Sequence, residues 1–185
     1  MRIIRGKYGR RRFQIPASFK ARPTTDFAKE NLFNVLDNMV DWEELDALDL
    51  FAGTGSIAFE MLSRGCQHVT AVELNYKHAS FIEKVAKELH TKELTLIRGD
   101  VLRYLSSITK PSFDLIFADP PYNLPELQQL PNLVLNSDLL REGGIFVLEH
   151  SKNNDFAAQP YFSQLRVYGS VNFSVFVKAT ARKDA

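Results

Sequence analysis

Thiols, long apolar runs and early acidic residues are scarce in this chain, and each scarcity excludes something. Cys66 is the only cysteine among 185 residues, so no intrachain disulfide can form, and nothing in the sequence resembles a Cys/His metal cluster. A reducing compartment suits such a chain. No apolar run approaches the roughly 20 residues a membrane-spanning helix needs, and the charged N-terminus lacks the apolar stretch of a secretory leader. The expectation is a soluble, cytoplasmic, metal-free protein. Tryptophan occurs once, at Trp42, so aromatic burial falls to 14 Phe and 6 Tyr. Acid is missing altogether before Asp26.

That last absence is matched by an excess. Arg2, Arg5, Lys7, Arg10, Arg11, Arg12, Lys20 and Arg22 fall in the first 25 residues, leaving 15 basic against 22 acidic residues for the remainder. A basic arm on an acidic body points to a polyanionic partner touched mainly at one end, with a solvated charged tail as the alternative. The chain length suits one domain with a small appendage. Residues 1–21 read as a basic hairpin extension, with Arg2-Ile3-Ile4 and Arg12-Phe13-Gln14-Ile15 as its strands, and residues 22–185 as the main domain. The extension has too little apolar content for a core of its own and should lean on that domain.

The apolar spacing Ala28, Leu32, Val35/Leu36, Met39 predicts a helix after Thr25-Asp26, which suit its N-terminus. From Leu45 onward strands and helices alternate. Strand-like runs at Ala47–Phe51, Val69–Leu74, Leu94–Ile97, Phe113–Ala118 and Ile145–Glu149 are separated by helix-like stretches near Ile57–Ser63, His78–Leu89, Val101–Ser107 and Leu127–Leu139. Such alternation predicts an α/β fold with a mostly parallel sheet covered on both faces. Phe162–Tyr168 and Val171–Lys178, joined at Gly169-Ser170, break the pattern as an antiparallel hairpin.

Asp119-Pro120-Pro121-Tyr122 ends the fourth of these runs and reads as an active-site turn. The exocyclic amine of a nucleobase is a poor nucleophile because its lone pair is delocalised into the ring. Two fixed acceptors, the Asp119 carboxylate and the Pro120 carbonyl, can hold both N–H bonds and turn the lone pair toward an electrophile, while Tyr122 stacks on the base. A plain strand-end turn is the bland alternative.

Asp49-Leu50-Phe51-Ala52-Gly53-Thr54-Gly55-Ser56 follows the first sheet strand and opens a helix, the context that gives a glycine loop meaning. Glu73, 20 residues beyond Gly53, stands at the second strand end, placed for ribose hydroxyls. Asp100 and Val101 follow the third strand, within reach of an adenine amine. Gly53 to Ala58 also satisfies the dinucleotide pattern G-x-G-x-x-A, but a carboxylate just before the loop repels pyrophosphate and suits ammonium and sulfonium charge. Glu149-His150-Ser151 ends the fifth strand without the base, orienting acid and oxyanion hole a serine nucleophile needs.

In this order Asp49–Gly55, Glu73, Asp100 and Asp119–Tyr122 resemble a class I S-adenosylmethionine-dependent methyltransferase of the amino-methylating type. Arg2-Ile3-Ile4-Arg5-Gly6-Lys7, Arg22-Pro23-Thr24-Thr25-Asp26 and Asn31-Leu32-Phe33-Asn34 resemble the RsmD-type family, bacterial guanine-N2 methyltransferases of 16S ribosomal RNA. The resemblance implies a Rossmann-like, seven-stranded sheet ending in an antiparallel hairpin. It implies S-adenosylmethionine held by Asp49, Phe51, Ala52, Gly53, Gly55, Glu73, Leu74, Asp100 and Val101, with Arg22 and Thr24 closing the site. Asp119, Pro120, Pro121 and Tyr122 are then catalytic, and Arg2, Arg5, Lys7, Arg10, Arg11 and Arg12 contact RNA. The implied partner is ribosomal RNA within a small-subunit particle, met by a monomer. Methylation of adenine N6 in DNA or of a protein amide, and a ribosome-assembly role with dispensable catalysis, are the alternatives.

Overall fold

The computed structural model describes residues 1–19, 24–108 and 113–180. Seven strands form one sheet: β1 (Asp46–Leu50), β2 (His68–Glu73), β3 (Leu94–Arg98), β4 (Phe113–Ala118), β5 (Leu140–His150), β6 (Phe162–Tyr168) and β7 (Val171–Val177). Their order is β3-β2-β1-β4-β5-β7-β6. The pairs β1/β2, β2/β3, β1/β4 and β4/β5 are parallel, and β7 pairs antiparallel with both β5 and β6. The chain reverses its direction of travel between β1 and β4, where open α/β sheets form a ligand crevice at their carboxyl ends.

Helices cover both faces. Leu32, Phe59 and Ile82, from α1 (Asp26–Leu36), α2 (Ser56–Arg64) and α3 (Tyr76–Leu89), share one core with Ala47, Phe117 and Val147. Val101, Leu105, Leu130 and Val134, from α4 (Val101–Ser107) and α5 (Leu130–Leu135), share the other with Leu48, Ile116 and Phe146. Alternation along each strand thus feeds two cores, which is why β1, β2 and β4 read as continuous apolar runs.

Three elements depart from the expected bounds. The first helix stops at Leu36, its last turn closed by Asp37 N–H to the Phe33 carbonyl rather than continuing to Met39. The stretch expected to be helical from Leu127 to Leu139 is a short 3-10 turn followed by a helix of only six residues. β5 begins at Leu140, not Ile145, because the strand carries an irregularity: Phe113 pairs with Leu140, but Leu115 pairs with Ile145.

The N-terminal segment is tied in by a buried ion pair. Arg2 bridges Arg12 antiparallel, with the Ile3 N–H on the Arg11 carbonyl (3.0 Å) and the Phe13 N–H on the Met1 carbonyl (2.8 Å), a short hairpin rather than two extended strands among the described residues. Ile3 and Phe13 nevertheless sit in the main core. Glu60, fully buried, accepts the N–H groups of Ile4 (2.7 Å) and Arg5 (3.2 Å) and pairs with Lys29 (3.7 Å) and Arg64 (3.1 Å). The Lys29 ammonium, pulled down by burial against the opposing pull of Glu60, donates to the Arg2 carbonyl and to Ser56 Oγ (3.0 Å). Gly6 has φ +84°, and a Cβ there would lie 1.7 Å from the Ser63 carbonyl oxygen, so only glycine permits this approach to α2.

Candidate active site

The carboxyl ends of β2, β1, β4 and β5 are aligned by register: Val72 opposes Leu50, Leu50 opposes Ala118, and Ala118 opposes Leu148. The next residue of each strand therefore reaches one rim, and Glu73, Phe51, Asp119 and Glu149 meet there. Behind this rim lies a cavity of about 920 Å³. Asp49, Phe51, Ala52, Gly53, Glu73, Leu74, Asp100 and Val101 line it, as do Thr24 and the whole turn Asp119–Tyr122. Gly55 lies just behind the wall, where it caps α2. Arg22 lies outside the described residues.

The loop after β1 turns on left-handed residues, Phe51 at φ 62°, Gly53 at 56° and Gly55 at 74°. A Cβ on Gly53 would meet nothing closer than the Phe51 oxygen at 3.9 Å, so its absence leaves room toward the cavity. On Gly55 it would meet Phe59 at 2.9 Å, so that glycine serves packing. Glu73 fixes the loop from the neighbouring strand: one carboxylate oxygen accepts the Gly53 N–H (2.7 Å), the other the Asn75 N–H (2.6 Å). Its remaining lone pairs are available to a ligand. Asp100 accepts the Arg103 N–H (2.9 Å) as the N-cap of α4, with its other oxygen uncommitted among the described residues.

Three carboxylates make the cavity electronegative. Asp49 occupies an inward strand position where a core residue would be apolar, and it accepts the Ala58 N–H from α2 (3.0 Å). Burial pushes its carboxyl up to about 8 despite that bond. Asp119 is raised well above the usual carboxylate range, first by burial and then by the nearby Glu149 and Asp49. Glu149 is raised to about 7 by burial, opposed by the Thr24 hydroxyl that donates to it at 2.7 Å. Among the described residues no Lys or Arg is paired with any of the three. In a low-dielectric pocket like charges of this kind disfavour one another, and a cationic or multiply N–H-donating ligand relieves them.

In the turn itself Pro120 is buried, Tyr122 is half exposed, and the Pro121 carbonyl accepts the Leu124 N–H at 2.8 Å. The Pro120 carbonyl is left without an intramolecular donor among the described residues. His78, Lys152, Asn153 and Val171 are among the lining residues that no motif marked. His78 comes from α3 and Val171 from the start of β7, which no local signal connects to the glycine loop. The basic arm runs along α1 and α2, and some of its charge is already paired: Arg2 with Asp26, Arg5 with Asp37 and Arg11 with Glu88. The arm's path leads through Phe19, which packs on His78 beside the cavity, before residues 20–23.

A sheet of this order with a ligand crevice at its topological switch point, a glycine loop and a cation-seeking carboxylate floor defines a class I S-adenosylmethionine-dependent methyltransferase. A solved structure titled an RNA methyltransferase from Salinibacter ruber in complex with S-adenosyl-L-homocysteine shares this fold with a TM-score of 0.67 at 16% identity, over 89% of this chain and 98% of that one. The family described as Conserved hypothetical protein 95 matches residues 1–177, and the chain belongs to it, the RsmD type. YlbH of Bacillus subtilis is 32% identical over 96% of this chain and 99% of its own. Ribosomal RNA small subunit methyltransferase D of Haemophilus influenzae is 33% identical over 83% of this chain and 80% of its own.

Proposed function

We propose that this protein transfers a methyl group from S-adenosylmethionine to the exocyclic N2 amine of a guanine in small-subunit ribosomal RNA. The observation that carries the reading is the single cavity into which both the glycine loop and the Asp119–Tyr122 turn open. When bound, the cofactor supplies a methyl group activated on a positively charged sulfur. Asp49, Phe51, Ala52, Gly53 and Gly55 would hold its amino-acid part, Glu73 and Leu74 its ribose, and Asp100 with Val101 its adenine. The donor set fits, because Asp49 is a buried carboxyl with no cation paired to it among the described residues, Glu73 keeps free lone pairs, and Gly53 leaves space where a side chain would intrude.

Asp119 and the Pro120 carbonyl hold the two N–H bonds of the base, and Tyr122 covers its face. Positioning of the amine lone pair supplies much of the rate. The carboxylate stabilises positive charge as it develops on nitrogen. Asp119 then takes the excess proton from the methylated nitrogen, a role that suits a carboxyl whose basicity is raised by burial. The small-subunit substrate is supported by the printed name of the Haemophilus relative, and guanine N2 by the resemblance of the motifs to the RsmD-type guanine-N2 enzymes. The basic arm, which packs on the helices of one face and leads through Phe19 to His78 at the cavity, supports a nucleic-acid partner, met within a small-subunit particle by a monomer.

The test is transfer of labelled methyl to extracted ribosomal RNA and to small-subunit particles, followed by nucleoside analysis. N2-methylguanosine is expected, in small-subunit RNA alone. Label recovered only as N6-methyladenosine, or only on DNA or protein, contradicts the reading.

A further inference from the structure

We propose that Glu149 is the residue that selects guanine, accepting the base's N1–H beside the N2 amine held at Asp119. This rests on the methyltransferase reading above. β4 and β5 are parallel neighbours with Ala118 opposite Leu148, so Asp119 and Glu149 are the next residues on each and share one face of the sheet, on strands about 4.8 Å apart. Glu149 is 3% exposed, yet lines the cavity. One of its oxygens accepts the Thr24 hydroxyl, and the other has no donor among the described residues. Thr24, with its proton committed to Glu149, shows the cavity only lone pairs.

With Asp119 and Glu149 ionised, the state that a bound row of N–H donors favours, this part of the wall consists of acceptors: two carboxylates, a threonine oxygen and the Pro120 carbonyl. Guanine is the base whose amine lies beside a ring N–H, so its edge presents three N–H donors in a row. Adenine sets its amine beside the N1 lone pair, and cytosine beside the N3 lone pair. Against a buried carboxylate a lone pair is repelled where a donor is bound, and burial magnifies the difference. Asp119 and Pro120 alone cannot make this distinction, since every exocyclic amine offers them the same two N–H bonds.

The experiment uses small-subunit particles whose RNA is joined from fragments, so that the methylated position carries either guanosine or 2-aminopurine riboside. The analogue keeps the 2-amine but has a lone pair at N1. The unaltered protein should methylate guanosine at least about 100-fold faster in kcat/KM, as expected of a site built around a hydrogen-bond donor. Glu149→Gln, whose amide can donate to N1, should narrow that ratio at least tenfold while S-adenosylmethionine affinity by calorimetry stays within about threefold. Equal rates on the two bases in the unaltered protein would overturn the proposal without needing a variant, and would leave the guanine-N2 reading standing. A Glu149→Gln protein that loses activity on both bases in proportion, or that loses cofactor affinity with the ratio unchanged, would assign Glu149 to structure or to the cofactor instead. Absence of N2-methylguanosine from the guanosine particles would overturn the underlying reading itself.

Discussion

Asp49 offers the sharpest physical prediction, because its carboxyl is raised to about 8 by burial beneath the glycine loop. In the free protein it is therefore protonated at pH 5.5 and mostly so at 7. A cofactor with ammonium and sulfonium charge favours the ionised form, so binding should expel a proton and tighten as pH rises. If the bound charge returns Asp49 to the ordinary carboxylate range, one linked proton makes affinity grow roughly 50- to 100-fold between pH 5.5 and 7.5, or about 2.5 kcal/mol. Calorimetry in buffers of different ionisation enthalpy reads both the constant and the proton release. Asp49→Asn should bind more weakly at pH 7.5 and lose most of the slope. Glu149→Gln should keep the slope, which separates Asp49 from one of the two other raised carboxyls. Affinity that is flat from pH 5.5 to 7.5, or a slope that survives Asp49→Asn, would refute the argument.

Asp49 should also tilt stability: its folded carboxyl binds the proton more tightly than the unfolded one, so its contribution is full below its ordinary value of 3.8 and lost as pH rises through about 8. Thermal melts should fall less steeply over that range in Asp49→Asn. Asp119→Ala should abolish methyl transfer with cofactor affinity nearly intact, whereas Tyr122→Phe should keep most activity and Tyr122→Ala should lose about 1–3 kcal/mol of base stacking; a Phe variant as poor as Ala would remove the stacking role. Replacing Arg10, Arg11 and Arg12 with Ala should weaken RNA binding and flatten its salt dependence by up to about 0.7 log unit per lost single-strand phosphate contact, and an unchanged slope in a filter-binding titration would make the arm a folding element alone. Lys29→Met should cost about 1–3 kcal/mol in a urea melt, because Glu60 loses one buried cation while keeping Arg64 and the Ile4 and Arg5 N–H groups.

The sheet was legible because its central strands are apolar on both faces and bounded by Gly, Asp and Pro. The amino-methylating motif was legible because Asp119-Pro120-Pro121-Tyr122 falls on a strand end. Leu140–Gly144 was not legible as strand, since Arg141, Glu142, Gly143 and Gly144 carry turn chemistry and only the irregular β4–β5 register accommodates them. The apolar run Leu127–Leu139 suggests one long helix, but Pro131 can occupy only the first turn of a helix, which starts late and is short. The anchoring of the arm was invisible because Lys and Glu are types rarely buried, and the pairing of Lys29 with Glu60 that permits their burial, joined by Arg64 and the Ile4 and Arg5 N–H groups, brings together residues far apart in sequence. Glu149 was noticed as a strand-end acid, but its place beside Asp119 depends on strand order, which local patterns do not encode.

The most direct test of the central claim is the N2-methylguanosine content of small-subunit ribosomal RNA from cells lacking the protein, measured by mass spectrometry of nucleosides. The account predicts a deficit that the unaltered gene restores and Asp119→Ala does not. An unchanged N2-methylguanosine content in cells lacking the protein, or full restoration by the Asp119→Ala variant, would contradict it.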